Sequence, residues 1–203
     1  MDPDLELFER WRAGDQRSGQ ELFERHFSDV YAFFRHKTDR RREITADDLA
    51  QQTFLQCIRA RDQFRNASTF RTYLFAIARN ELYTYLRRLP HGEHIDFEET
   101  SIAQLVTSLS SRINRAREVE LLRAVLRELP AELQLLLELH YWHELDAAAL
   151  AEVFEVPSGT IRVRLLRARR TLRERMAALG EGALAGLAGD GLVDSVTRPE
   201  LDD

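Results

Sequence analysis

Cysteine is almost absent from this chain: Cys57 is the only one among 203 residues. A disulfide framework and a cysteine-based zinc site are thereby excluded. No apolar run approaches the roughly 18 residues of a membrane-spanning helix. The opening stretch MDPDLELFERWRAGD is acidic and has no apolar signal core, so a cytoplasmic location is expected. Glycine is sparse until late, with five of the nine at or after Gly180, and no glycine-rich phosphate loop or nucleophile motif appears. The pairs His91/His94 and His140/His143 have helical i,i+3 spacing, yet neither has the cysteines or clustered acids that would complete a metal site. No enzyme, metal or cofactor is expected from these absences. Sustained two-residue alternation is missing as well, which excludes an extensive sheet and leaves an all-α chain.

What is present is charge in the wrong place. The formal net charge is −5, but residues 158–175, SGTIRVRLLRARRTLRER, hold seven arginines and one glutamate. Ile161, Leu165, Ala168, Leu172 and Met176 follow one another at helical spacing and define a buried stripe. Most of the arginines lie off that stripe. A basic helix on an acidic protein points to local phosphate contact rather than general polycation behaviour. Charge alone leaves open a solvated surface helix, or one lying on a membrane or partner.

The residues just before this helix decide the matter. In DAAALAEVFEVPSGT, Asp146 is placed to cap a short helix whose stripe is Ala149, Leu150 and Val153. Glu155-Val156-Pro157 interrupts it, and Pro157 fits the first turn of a new helix, where its missing N–H costs nothing. Two short helices joined by a tight turn, the second rich in arginine, describe a helix-turn-helix. The turn lacks the glycine often found there.

Upstream, the pattern predicts helices over 3–13, from near Ser18 through Phe34, from Thr45 to about Asp62, and from Ser68 or Thr69 to Arg88. Thr45-Ala-Asp-Asp48 reads as a capped start with acids in the first turn. Pro90 and Gly92 end this first domain (1–88). Residues 89–116 read as a polar, initially acidic, flexible linker. A second domain (117–179) begins with a helix carrying Leu121, Leu122, Val125, Leu126 and Leu129. Its next helix, Ala131 to about His143, leads into the helix-turn-helix. The tail 180–203 is glycine-rich and acidic, with six acids against Arg198 alone. Residues 62–88 mix aromatics, amides and bases. Leu74, Ile77, Ala78 and Leu82 suit a buried face, which leaves other aromatics and arginines outside it. Such a surface can stack unpaired bases or hold a base extruded from a duplex, though aromatics such as Phe70 also suit a core.

Three pieces in this order, DDLAQQTF, STFRTYLFAIARN and VPSGTIRVRLLRARRTLRE, resemble the extracytoplasmic-function (ECF) group of bacterial sigma factors; the resemblance covers about 20–176. It implies two helical domains, sigma domain 2-like and sigma domain 4-like, carried by RNA polymerase core on its clamp coiled coil and flap and bound to promoter DNA. By the same resemblance Asp48, Leu49, Gln52, Thr53 and Phe54 would dock on the clamp. Asn66, Arg71, Tyr73, Arg79 and Asn80 would capture bases of the −10 element. Ser158, Thr160, Arg162, Val163, Arg164 and Arg167 would read the −35 element. Many members have serine where Val163 stands and a polar residue where Leu166 stands, so the −35 preference is expected to differ. An anti-sigma factor commonly holds such proteins inactive, and the tail could be inert or fold back to regulate. A free helix-turn-helix regulator with a sensing or dimerising first domain is the rival reading; the 47–88 run favours the resemblance.

Overall fold

The computed structural model describes residues 2–35, 37–38, 44–64, 68–88, 122 and 124–179, excepting the side chains of 176, 177 and 179. The linker 89–116, the tail 180–203 and most of the helix expected from Arg117 lie outside them. Every regular element among the described residues is helical. They are α1 (Pro3–Arg12), α2 (Gln16–Arg35), α3 (Ala46–Arg59), a 3-10 turn (Arg61–Gln63), α4 (Phe70–Leu86), α5 (Ala131–Tyr141), α6 (Ala147–Phe154) and α7 (Ser158–Leu179). The chain divides into two units, Met1–Ile95 with His143–Arg162, and Asp96–Trp142 with Val163–Asp203.

In the first unit four helices start where a side chain satisfies unpaired N–H groups. Asp2 caps α1 and accepts from the Asp4 N–H. Thr45 and Asp48 form a reciprocal capping box at α3. Thr69 caps α4 and Asp146 caps α6. Around the core, Leu22, Val30, Phe33 and Phe34 of α2 meet Leu74, Phe75, Ala78 and Leu82 of α4, all essentially inaccessible. Phe8 of α1 is fully buried and touches the rings of Trp11, Phe64 and Phe70 at centroid distances of 5.6, 4.9 and 5.7 Å. A polar lock joins the first two helices: Asp4 accepts from Arg25 at 2.7 Å and faces His26 Nε2 at 2.6 Å. Cys57 is buried on α3, and burial pushes its thiol up to about 12.

The glycine missing from the helix-turn-helix has a substitute. Glu155, at φ 55° and ψ 43°, takes the left-handed conformation that ends α6, and the N–H of Val156 reaches back to the Ala151 carbonyl at 3.0 Å. This is the hydrogen bonding a glycine-terminated helix end uses, carried here by a glutamate. Pro157 sits one position ahead of the expected first turn: its carbonyl accepts from Thr160 and Ile161 and so opens α7.

In the second unit Leu135, Leu136, Leu137 and Leu139 of α5 are buried, as are Leu126, within the helical residues 124–128, and Leu129 just after them. Leu165, Ala168 and Leu172 of α7 are buried too. The Gln134 side chain donates to the Leu129 carbonyl at 2.6 Å, tying α5 to the segment before it.

Gly19 is a point of close approach between α1 and α2, since a Cβ there would overlap the indole of Trp11. Trp11 is itself only 3% exposed. Gly19→Ala is expected to destabilise the first unit by about 1–3 kcal/mol, measured by urea unfolding; an unchanged midpoint would show that the indole can swing clear.

Candidate nucleic-acid interface

α3 has apolar residues on every side, so its capped start and its packing determine which of them face outward. Leu49, Thr53 and Phe54 are buried, with Thr53 Oγ donating to the Leu49 carbonyl at 2.8 Å. Asp48 and Gln52 are exposed. Of the five residues expected to dock, then, three hold the helix in place and two face outward. Sequence reasoning missed Gln51, Leu55 and Ile58, which share the outer side; Leu55 and Ile58 are nearly half exposed. Together with Phe27 of α2 they border a cleft of about 740 Å³ that Phe23 and Trp11 also line. The Asp48 carboxyl is held below its ordinary range by the hydrogen bond from the Thr45 hydroxyl. Its Oδ2 takes both the hydroxyl and the N–H of Thr45, at 2.6 and 2.8 Å.

On α4 the expected base-capturing residues divide differently. Tyr73 is half-buried, its ring stacked 4.6 Å from that of Phe64 and its hydroxyl donating to the Ala60 carbonyl at 3.1 Å. Burial first, and Cys57 second, push its phenol up to about 12. Arg71 donates to Asp29 at 3.1 Å and to the His143 carbonyl at 2.5 Å, and its guanidinium lies over Phe75. Arg79 has a side chain only 12% exposed. It donates to the Val153 carbonyl and to Asn80 Oδ1, and lies over the rings of Tyr83 and Phe154. Asn80 is exposed. Asn66 lies outside the described residues.

α7 sorts its arginines into two kinds. Arg164 pairs with Glu132. Arg169 donates to the Tyr141 hydroxyl at 2.9 Å and approaches His140 Nε2 at 3.3 Å, with its guanidinium over the Tyr141 ring. Arg175 pairs with Glu128 at 2.9 Å. These three brace the second unit. Arg162, Arg167 and Arg173 face outward and have no ion-pair partner among the described residues. Ser158 and Thr160 are half-exposed at the start of the helix. Val163 and Leu166 are 46% and 64% exposed on the outward side; Leu166, the barer of the two, is absent from the residues expected to read DNA.

This division predicts opposite outcomes for neighbouring substitutions. Arg169→Ala is expected to cost about 1–2 kcal/mol by removing the hydrogen bonds and the ring stacking. Arg162→Ala and Arg167→Ala should stay within about 0.5 kcal/mol of the parent. Chemical denaturation of each variant checks the split, and equal destabilisation at all three positions would refute it.

Comparison with known proteins adds the family context. Residues 22–90 match the model of Sigma-70 region 2, and residues 120–172 match that of Sigma-70, region 4. The chain is 28% identical over 185 residues to an ECF RNA polymerase sigma-E factor of Haemophilus influenzae, covering 87% of this chain and 96% of the relative. It is 29% identical over 185 residues to the factor of the same name from Escherichia coli strain K12, with 87% and 95% covered. Its fold is similar to that of CnrH, solved in complex with the cytosolic domain of CnrY (TM-score 0.59, 22% identity, 88% of this chain and 100% of that one). It is also similar in fold to the sigma factor RpoE from Bartonella quintana, solved in complex with the anti-sigma factor NepR (TM-score 0.52, 22% identity, 77% and 95%).

Proposed function

The chain belongs to the ECF group of the sigma-70 family of transcription initiation factors, and from that premise we propose how its surfaces divide the work of a promoter-specificity subunit. Residues 1–88 form the domain that binds polymerase core and the −10 element, 117–179 the domain that reads the −35 element, and 89–116 the linker between them. The observation that carries the reading is the sorting of α7: three arginines brace the second unit, while Arg162, Arg167 and Arg173 point outward. Outward guanidiniums on an acidic protein suit the phosphates flanking a major groove. Arg164 then acts by holding the helix, through Glu132, and Ser158 and Thr160 lie where its first turn meets the backbone.

The docking surface for the clamp is the outer side of α3, with Asp48 and Gln52 joined by Gln51, Leu55, Ile58 and Phe27. An apolar patch with a polar rim is the composition of a protein interface. Leu49, Thr53 and Phe54 set its shape from beneath. The start of α4, Asn80 and the loop holding Asn66 capture extruded bases. Melting is driven by that binding and needs no chemistry by the chain itself. The protein acts in the cytoplasm. As with the RpoE factor of Bartonella quintana solved with NepR, an anti-sigma factor is the partner class that would restrain it.

Run-off transcription of fragmented genomic DNA by bacterial core polymerase, with and without the protein, tests the reading. Discrete protein-dependent starts sharing two spaced motifs are expected; binding to duplex DNA without polymerase, and no such starts, would instead favour a free helix-turn-helix regulator. Arg162→Ala with Arg167→Ala should weaken promoters that depend on the −35 element and leave core binding intact. The slope of promoter affinity against salt should become shallower by about 0.9 for each phosphate no longer neutralised. Asn80→Ala should spare core and −35 binding but reduce the permanganate reactivity of unpaired thymines. Undiminished reactivity would remove Asn80 from the base-capturing surface.

A further inference from the structure

Val163 and Leu166 are anomalous residues on a DNA-facing helix. The buried side of α7 is already complete: Ile161, Leu165, Ala168 and Leu172 are each 4% exposed or less. Val163 and Leu166 lie outside that stripe and are among the few large apolar side chains left largely in water. They stand three residues apart, side by side on one face and about 4.5 Å apart along the axis. Arg167 and Arg170 lie on the same outward face, and no acid appears on it before Glu174. The Arg170–Glu174 contact at 3.6 Å is itself highly exposed, so it leaves the patch positive. An apolar pair ringed by guanidiniums fits a polyanion that carries methyl groups. In the major groove that group is the 5-methyl of thymine, the one apolar feature a base edge presents there.

We propose that Val163 and Leu166 are specificity-determining residues that read thymine methyl groups in the upstream promoter element. The inference rests on the assignment of α7 as the −35 reader. Arg167 and Arg170 hold the backbone, and the two apolar side chains select thymine at neighbouring steps. Cytosine in the same place offers them no methyl, and its amino group would be left facing an apolar surface.

The test is to replace each thymine of the upstream element in turn with deoxyuridine, which deletes the methyl and keeps every hydrogen-bonding edge. Templates are promoters identified by the run-off experiment, transcribed by core polymerase carrying the full chain. At one or two positions, open-complex formation by the parent protein should fall about fourfold per methyl, the scale of one buried carbon. The variant with Val163→Ala and Leu166→Ala should be weaker on thymine templates and indifferent to deoxyuridine. Both side chains are exposed, so its unfolding midpoint should match the parent and rule out misfolding as the cause. Indifference of the parent at every thymine overturns the inference, as does a variant that keeps the thymine dependence. A variant that loses core binding overturns it in favour of a protein contact. If the parent yields no discrete starts on any template, the sigma reading itself fails and this inference with it, an outcome distinct from starts that ignore the methyl.

Discussion

Phe8 is the point where α1, the approach to α4 and the first turn of α4 meet. Its ring has no exposure and touches Phe64 before α4, Phe70 at its start and Trp11 on its own helix. Edge-to-face and tilted ring contacts of this kind have preferred geometries, so the cluster fixes orientation as well as burying area. Much of the first unit follows from it. The 3-10 turn after α3 is pinned through Phe64, on which Tyr73 stacks. Tyr73 in turn closes back on the Ala60 carbonyl. On the far side of that turn, Thr69 caps α4.

The second constraint is electrostatic. A helix with seven arginines would repel itself if all of them faced one way. Glu132 and Glu128, together with the Tyr141–His140 pair, draw three of them into structural work. The remaining outward charges are concentrated on one face, which gives an acidic protein a local cationic surface without a cationic whole. On α3 the balance runs the other way, with an apolar outer side rimmed by amides and Asp48. The outer sides of α7 and α3 are thus chemically opposite, one cationic and one apolar.

The helices were legible in the sequence because their caps and stripes agree. Thr45, Thr69 and Asp146 each stand where a capping side chain was expected, and the Ile161–Leu165–Ala168–Leu172 stripe is buried as its spacing required. Exposure within α3 was not legible. Leu49 and Leu55 have the same chemistry, and only the packing of α2 and α4 decides that one is buried and the other bare. Arg164 and Arg167 were likewise indistinguishable in the sequence, since their difference lies in Glu132, 32 residues away. The left-handed Glu155 could not be read either, because the backbone conformation was imposed by the turn and not announced by a glycine. Leu166 was recoverable: it lies well away from the buried stripe on a helical wheel, and that angle alone places it in solvent.

The lone cysteine gives this molecule an internal clock. Only a thiolate reacts with alkylating reagents, and Cys57 is both sealed from solvent and held protonated, its thiol pushed up to about 12. Modification must wait for α3 to detach from α2 and α4, so its rate counts openings of that helix. No other sulfhydryl competes for the reagent. The native chain, without any substitution, therefore reports how often α3 comes loose and how far a bound partner slows it.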